Sequence, residues 1–314
     1  MLLHTLLVVT AFAVGFAMKR GGLCAYAAAL QIVDQRRFGR LLDFAGAAAW
    51  AGVLVLPLYW WLPGQWRLSG AHDFTLLALG GGALLGLGAY VNRGCVFGTF
   101  VQLVGGNLNY LATLLGVATA VVIAQLLPGA WSATALSAAP VGAPQTAALI
   151  WWGGVTLAAF LLLGLHARRR GRLAVFVMLC IGLGGGLLFA ALPGWDFGAV
   201  LSRSARRLVN AAAPAPGILA MQTTAAMVIG GILAAVTAGS FQLRAPNLRA
   251  SAGRFLGGFL LGSASQIIPG CNDSLLLRGL PAEAPQALIG LPVMMVVMVL
   301  LLTLCRNSQG FVRP

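Results

Sequence analysis

"GGALLGLGAYVNRGC" occupies Gly81–Cys95, and "GGFLLGSASQIIPGC" occupies Gly257–Cys271, 176 residues further along the chain. Seven of the fifteen positions are identical without a gap, including the glycine-rich helix face and the closing Gly-Cys. The same offset carries Leu2–Met18 onto Met178–Gly194 and Leu42–Leu62 onto Ile218–Ala238. It carries Leu108–Leu127 close to Gln286–Thr303. The chain therefore reads as one membrane domain in three parts: a first repeat at 1–127, a linking segment at 128–176 and a second repeat at 177–314. The linking segment holds one further apolar run, Ala147–Leu165, long enough to cross a bilayer once. A single crossing between two copies turns the second copy over, which gives inverted repeats, a recurrent transporter architecture.

Composition places the chain in lipid. Of 314 residues, 60% are hydrophobic and 8% charged, and the mean hydropathy is +0.91. A soluble domain carries about a quarter charged residues. The expected fold is an all-α integral membrane protein of about nine transmembrane helices plus short re-entrant half-helices, in two inverted pseudo-repeats. The crossings start near residues 2, 42, 74, 108, 146, 173, 217, 255 and 286. The first run has neither a basic leader nor an A-x-A cleavage pattern and reads as a retained helix.

The net charge of +14 does not point to nucleic acid, because the basic residues sit in short clusters between apolar runs: "QRRFGR", "HARRRGR" and "FQLRAPNLRASAGR". Such clusters mark cytoplasmic loops. They place the N-terminus outside and the C-terminus inside, in the bacterial cytoplasmic (inner) membrane. "SRSARR" (Ser202–Arg207) falls on the wrong side for this orientation and reads as part of a re-entrant segment.

Three of the five cysteines follow glycine breaks: "RGGLC" (Arg20–Cys24), "NRGC" (Asn92–Cys95) and "IPGCND" (Ile268–Asp273). Each opens an apolar segment too short to span. Irregular backbone at membrane depth is tolerated only inside protein or against a cavity. The N-terminus of a short helix offers partial positive charge and free N–H groups to an anion. A thiol is soft and polarizable, suited to a ligand with exposed sulfur and poorly suited to a hard oxyanion. The candidate pathway residues are Cys24, Cys95 and Cys271, with Gly22, Gly94 and Gly270 at the turns. Asn272 and Asp273 are candidate N-caps of the last short helix. Arg20 and Arg93 are ionisable residues at the breaks, and Gln266 is polar in mid-run. Cys180 and Cys305 lack the Gly-Cys setting and read as packing residues.

Other chemistries fit less well. The cysteines are scattered singly without a C-x-x-C pair, and His4, His72 and His166 fall near span ends, so neither a metal site nor a cofactor is expected. Thiol redox chemistry lacks a resolving partner close in sequence. No G-x-x-x-x-G-K-[ST] loop is present, so ATP-driven transport by this chain itself is not expected.

On "RGGLCAYAAAL", "GGALLGLGAYVNRGC" and "SQIIPGCNDSLLL", the chain resembles the YeeE/YedE family of membrane proteins over nearly its whole length. The resemblance implies an inverted-repeat helical bundle, narrowed in the middle, that takes up thiosulfate or a similar small sulfur anion. It implies that Cys24, Cys95 and Cys271 relay the ion through weak S–H···S contacts, sometimes with a TusA-like cytoplasmic sulfur carrier protein as partner. Two readings stay open: a permease for a sulfur anion, and a membrane subunit exchanging sulfur or selenium through a cysteine persulfide.

Overall fold

Helix α1 (Leu2–Gly21) ends at a glycine pair, and its successor α2 (Ala25–Gln35) runs only 11 residues. This long-then-short pattern recurs and sets the architecture. The computed structural model describes residues 2–62, 66, 68, 76–127, 144–169, 171–192, 195 and 198–309. After α2 come α3 (Gly39–Trp61), α4 (Leu76–Asn92), the short α5 (Val96–Val104) and α6 (Leu111–Leu126). The linking helix is α7 (Thr146–Arg169). The second half holds α8 (Arg172–Leu179) and α9 (Gly185–Ala191), joined through a π-helical turn at Cys180–Gly184, then the short α10 (Ala199–Val209). It continues with α11 (Ile218–Thr237), α12 (Leu248–Ile267), the brief α13 (Asn272–Ser274) extended by a π-helical turn at Leu275–Gly279, and α14 (Pro285–Gln309). His72 and Arg313 lie outside the described residues.

Eight helical segments among the described residues are long and apolar enough to cross a membrane. The chain is thus an all-α, multi-pass membrane protein. The ninth expected crossing is α12, which has the length, at 20 residues, but carries Arg249 and Arg254 and is not among the eight. Its place explains the tolerance: α12 packs against α4 and α6, so much of its surface meets protein and not lipid. The linking α7 is the opposite case. Ile150 and Leu157 are 71% and 62% exposed, the pattern of a helix that faces acyl chains.

The glycine faces set the orientation of the halves. Gly81 meets Ile268, Gly88 meets Leu261, and Gly257 meets the backbone of Asn92, so α4 and α12 run antiparallel. The Gly81–Ile268 contact and the Gly257–Asn92 contact are one contact seen twice, each residue shifted by 176 positions. A helix antiparallel to its own repeat equivalent requires inverted halves. The halves also interleave: α1 packs on α11, α4 on α14, α6 on α12, α2 on α14 and α10 on α6. Gly15 and Gly230 let α1 and α11 approach to backbone contact, the small-residue packing that membranes favour. The "SRSARR" stretch lies on α10, too short to span and packed on α6 as α2 packs on α14.

Candidate functional site

Cys24, Cys95 and Cys271 hold the same structural position. Each is the N-cap of a short helix, in extended backbone: Cys24 for α2 (φ −157°, ψ 123°), Cys95 for α5 (φ −79°, ψ −172°) and Cys271 for α13 (φ −86°, ψ 173°). None of the three thiols caps its own helix. The sequence reading put Asn272 or Asp273 at the last cap. The structure corrects this: Cys271 is the cap, and Asn272 and Asp273 lie inside the first turn.

The helix starts are instead capped by one another. The Ala25 N–H at the start of α2 donates to Cys95 Sγ at 3.2 Å. The Val96 N–H at the start of α5 donates to Asn272 Oδ1 at 3.2 Å. Cys95 Sγ lies 3.9 Å from Cys24 Sγ, within reach of an S–H···S contact. Three helix N-termini, two from one repeat and one from the other, thus converge on a single place. Cys95 and Asp273 are fully buried and Asn272 is 2% exposed. The positive ends of the helix dipoles add there, in a setting with little water to screen them. Asp273 lies in the first turn of α13, the position where an acidic side chain suits a helix N-terminus.

The turns combine the expected glycines with side-chain braces that sequence reasoning passed over. Gly22 (φ +59°) and Gly270 (φ +131°) take backbone conformations that a side chain would strain. Arg93 adopts φ +51° despite its side chain. A buried amide braces that turn: Asn92 Nδ2 donates to Gly94 O at 2.7 Å and to Thr99 Oγ1 at 2.9 Å, while Asn92 Oδ1 accepts from Thr113 Oγ1 at 2.7 Å. The Tyr110 hydroxyl donates to Arg93 O at 3.2 Å. Arg254 donates to Asn92 O, closing the C-terminus of α4, and its guanidinium lies 4.7 Å from the centre of the Tyr110 ring. Arg254 belongs to a cluster that reads as a topology signal, yet its head group reaches the turn beside Cys95. Gly98 is a further omission. A Cβ there would land on Cys24 Sγ, so α5 needs a glycine to seat the thiol. The available signal was Asn92, a lone amide in an apolar run before a Gly-Cys turn.

Of the remaining candidates, Arg20 and Gln266 have side-chain partners on other helices. Arg20 is exposed, donates to Thr237 Oγ1 at 3.2 Å and lies over the Phe16 ring. The Arg93 side chain is exposed. Gln266 accepts from Arg206 of α10 at 3.2 Å, joining α12 to the re-entrant helix. Cys180 is half-buried in the π-helical turn, and Cys305 is exposed near the end of α14. His166 is buried and makes a close pair with Asp43 at 2.7 Å, its other ring nitrogen facing Leu162 O. Among the described residues, no group of three or more His, Cys, Asp or Glu is placed to hold a metal ion.

A family model described as sulphur transport matches residues 20–175 and, a second time, residues 165–300. The first match contains Cys24 and Cys95, the second Cys271. No curated protein matches the chain.

Proposed function

Because the chain belongs to the sulphur transport family, we propose that it passes thiosulfate or a closely related sulfur anion across the cytoplasmic membrane, along a path formed by Cys24, Cys95 and Cys271. The observation that carries this reading is the convergence of three cysteine-capped helix starts, with Cys24 and Cys95 in sulfur contact. Thiosulfate has two faces. Its oxygens carry charge that suits N–H groups and helix N-termini, and its outer sulfur is soft and suits a thiol. A weak S–H donor at each cap grips the ion loosely, which passage requires: a site must bind well enough to admit the ion and weakly enough to release it. The halves meet at this place with the N-terminus outside and the C-terminus inside, and a TusA-like carrier takes the sulfur on the inner side.

A second reading gains from the same contact. The sequence offered no resolving thiol near any cysteine, yet Cys24 and Cys95 are neighbours in space. A thiolate at either position attacks the outer sulfur of thiosulfate, the S–S bond breaks, sulfite leaves with the bonding pair, and a persulfide remains. No outside oxidant is required.

Uptake of labelled thiosulfate into cells lacking other importers separates the two. Permeation predicts label entering with both sulfurs together and the cysteines unmodified. Sulfate should not enter, since its outer atoms are all hard oxygens. Cys24→Ser, Cys95→Ser and Cys271→Ser each exchange a soft atom for a hard one at nearly constant size and should lower uptake at least tenfold. Cys180→Ala and Cys305→Ala should leave uptake near the parent level. Parental uptake by all three Ser variants overturns the pathway; sulfite release with a trapped persulfide mass favours the second reading.

A further inference from the structure

At the basic end of the bundle, the last turn of α2, the start of α3 and the last turn of α7 enclose a pocket of about 570 Å³. Its walls include Phe38, Leu42 and Leu165, which are 55%, 39% and 41% exposed. Gln31, Arg37 and Arg169 contribute its polar part. His166 also lines it, but its ring is committed to Asp43, so that carboxylate is taken and does not neutralise the arginines. Arg37 and Arg169 are exposed and make no ion pair among the described residues.

Two guanidinium groups that make no ion pair among the described residues, set over exposed apolar walls at the end of two membrane-crossing helices, complement one kind of molecule. It must carry an anionic head and an apolar tail. A guanidinium presents several N–H donors to phosphate oxygens. A free oxyanion would use the arginines but leave Phe38, Leu42 and Leu165 against water, with nothing gained from their area. We propose that this pocket binds an anionic phospholipid, its phosphate held by Arg37 and Arg169 and an acyl chain lying along Phe38, Leu42 and Leu165.

The test uses the full chain purified in detergent and titrated with dioleoyl phosphatidylglycerol, with dioleoyl phosphatidylcholine as the zwitterionic comparator. Bound lipid is counted by mass spectrometry of the intact complex. Phosphatidylglycerol should be retained in preference. Each arginine near a membrane surface is worth about fivefold in affinity, so R37Q/R169Q should bind phosphatidylglycerol about 30-fold more weakly. R37K/R169K keeps both charges and should retain most of the binding, and melting in lipid-free detergent checks that both variants are folded. Competition with millimolar inorganic phosphate needs no variant and should leave the lipid bound. Equal retention of the two lipids, unchanged binding by R37Q/R169Q, or displacement by inorganic phosphate would each overturn the proposal.

Discussion

Cysteine is not among the preferred N-cap residues, because a thiol accepts hydrogen bonds weakly. Finding it at three caps in one chain means that the helix starts are stabilised from elsewhere, and Asn272 is the residue on which this can be tested. Its Oδ1 is the acceptor for the part-buried Val96 N–H. Asn272→Ala removes a cap and should destabilise the protein by about 1 kcal/mol, read as a lower melting temperature in detergent. Asn272→Asp keeps the acceptor and should keep the melting temperature, but it adds a negative charge where three positive helix ends meet. Thiosulfate uptake should therefore fall severalfold in Asn272→Asp although the fold survives. Parental uptake by that variant would count against an anion site at these helix starts.

At the scale of elements, the site depends on how closely α4 and α12 approach. A Cβ at Gly257 would run into the backbone of Asn92, which cannot turn aside as a side chain can. Asn92 also braces the turn to Cys95, so pushing the helices apart disturbs packing and site together. Gly257→Ala should destabilise by about 2 kcal/mol, the usual range for overpacking, and reduce uptake. Gly153 on α7 is the control: nothing lies within 4 Å of its Cβ position. Gly153→Ala should leave uptake unchanged and hold or raise stability, because alanine is the better helix former by about 1 kcal/mol. Melting curves of the two variants side by side decide the matter.

At the scale of the whole molecule, inverted halves joined by one linking crossing should put the two termini on opposite sides of the membrane. Single cysteines introduced near each end, in a variant lacking Cys305, should react with a membrane-impermeant maleimide from opposite sides in intact cells and inverted vesicles. Labelling of both from one side would overturn the inverted arrangement. The interleaving of helices makes a further point: α1, α2, α4, α6 and α10 each pack on helices of the other half. The repeats are thus units of sequence and not separately packed bodies, and the convergence of Cys24 and Cys95 with Asn272 is a product of that interleaving.

Much of this was legible in the chain itself. Hydropathy and the 176-residue offset determined a helical membrane bundle in related halves, because lipid forces every spanning backbone to satisfy its hydrogen bonds within helices and because a repeat survives in side-chain pattern. The Gly-Cys breaks marked the starts of the short helices, since a glycine turn followed by an apolar run too short to span has few other meanings in a bilayer. Which residues meet was decided only in three dimensions. That Cys95 accepts from Ala25, that Asn272 caps α5 and not its own helix, that Gly98 makes room for Cys24, and that Arg254 leaves its basic cluster to close α4 are contacts between segments 70 to 176 residues apart. Local pattern carries no information on such pairs: a hydrogen bond depends on where two backbones cross, and the crossing is set by the glycine faces of helices from both halves packing at once.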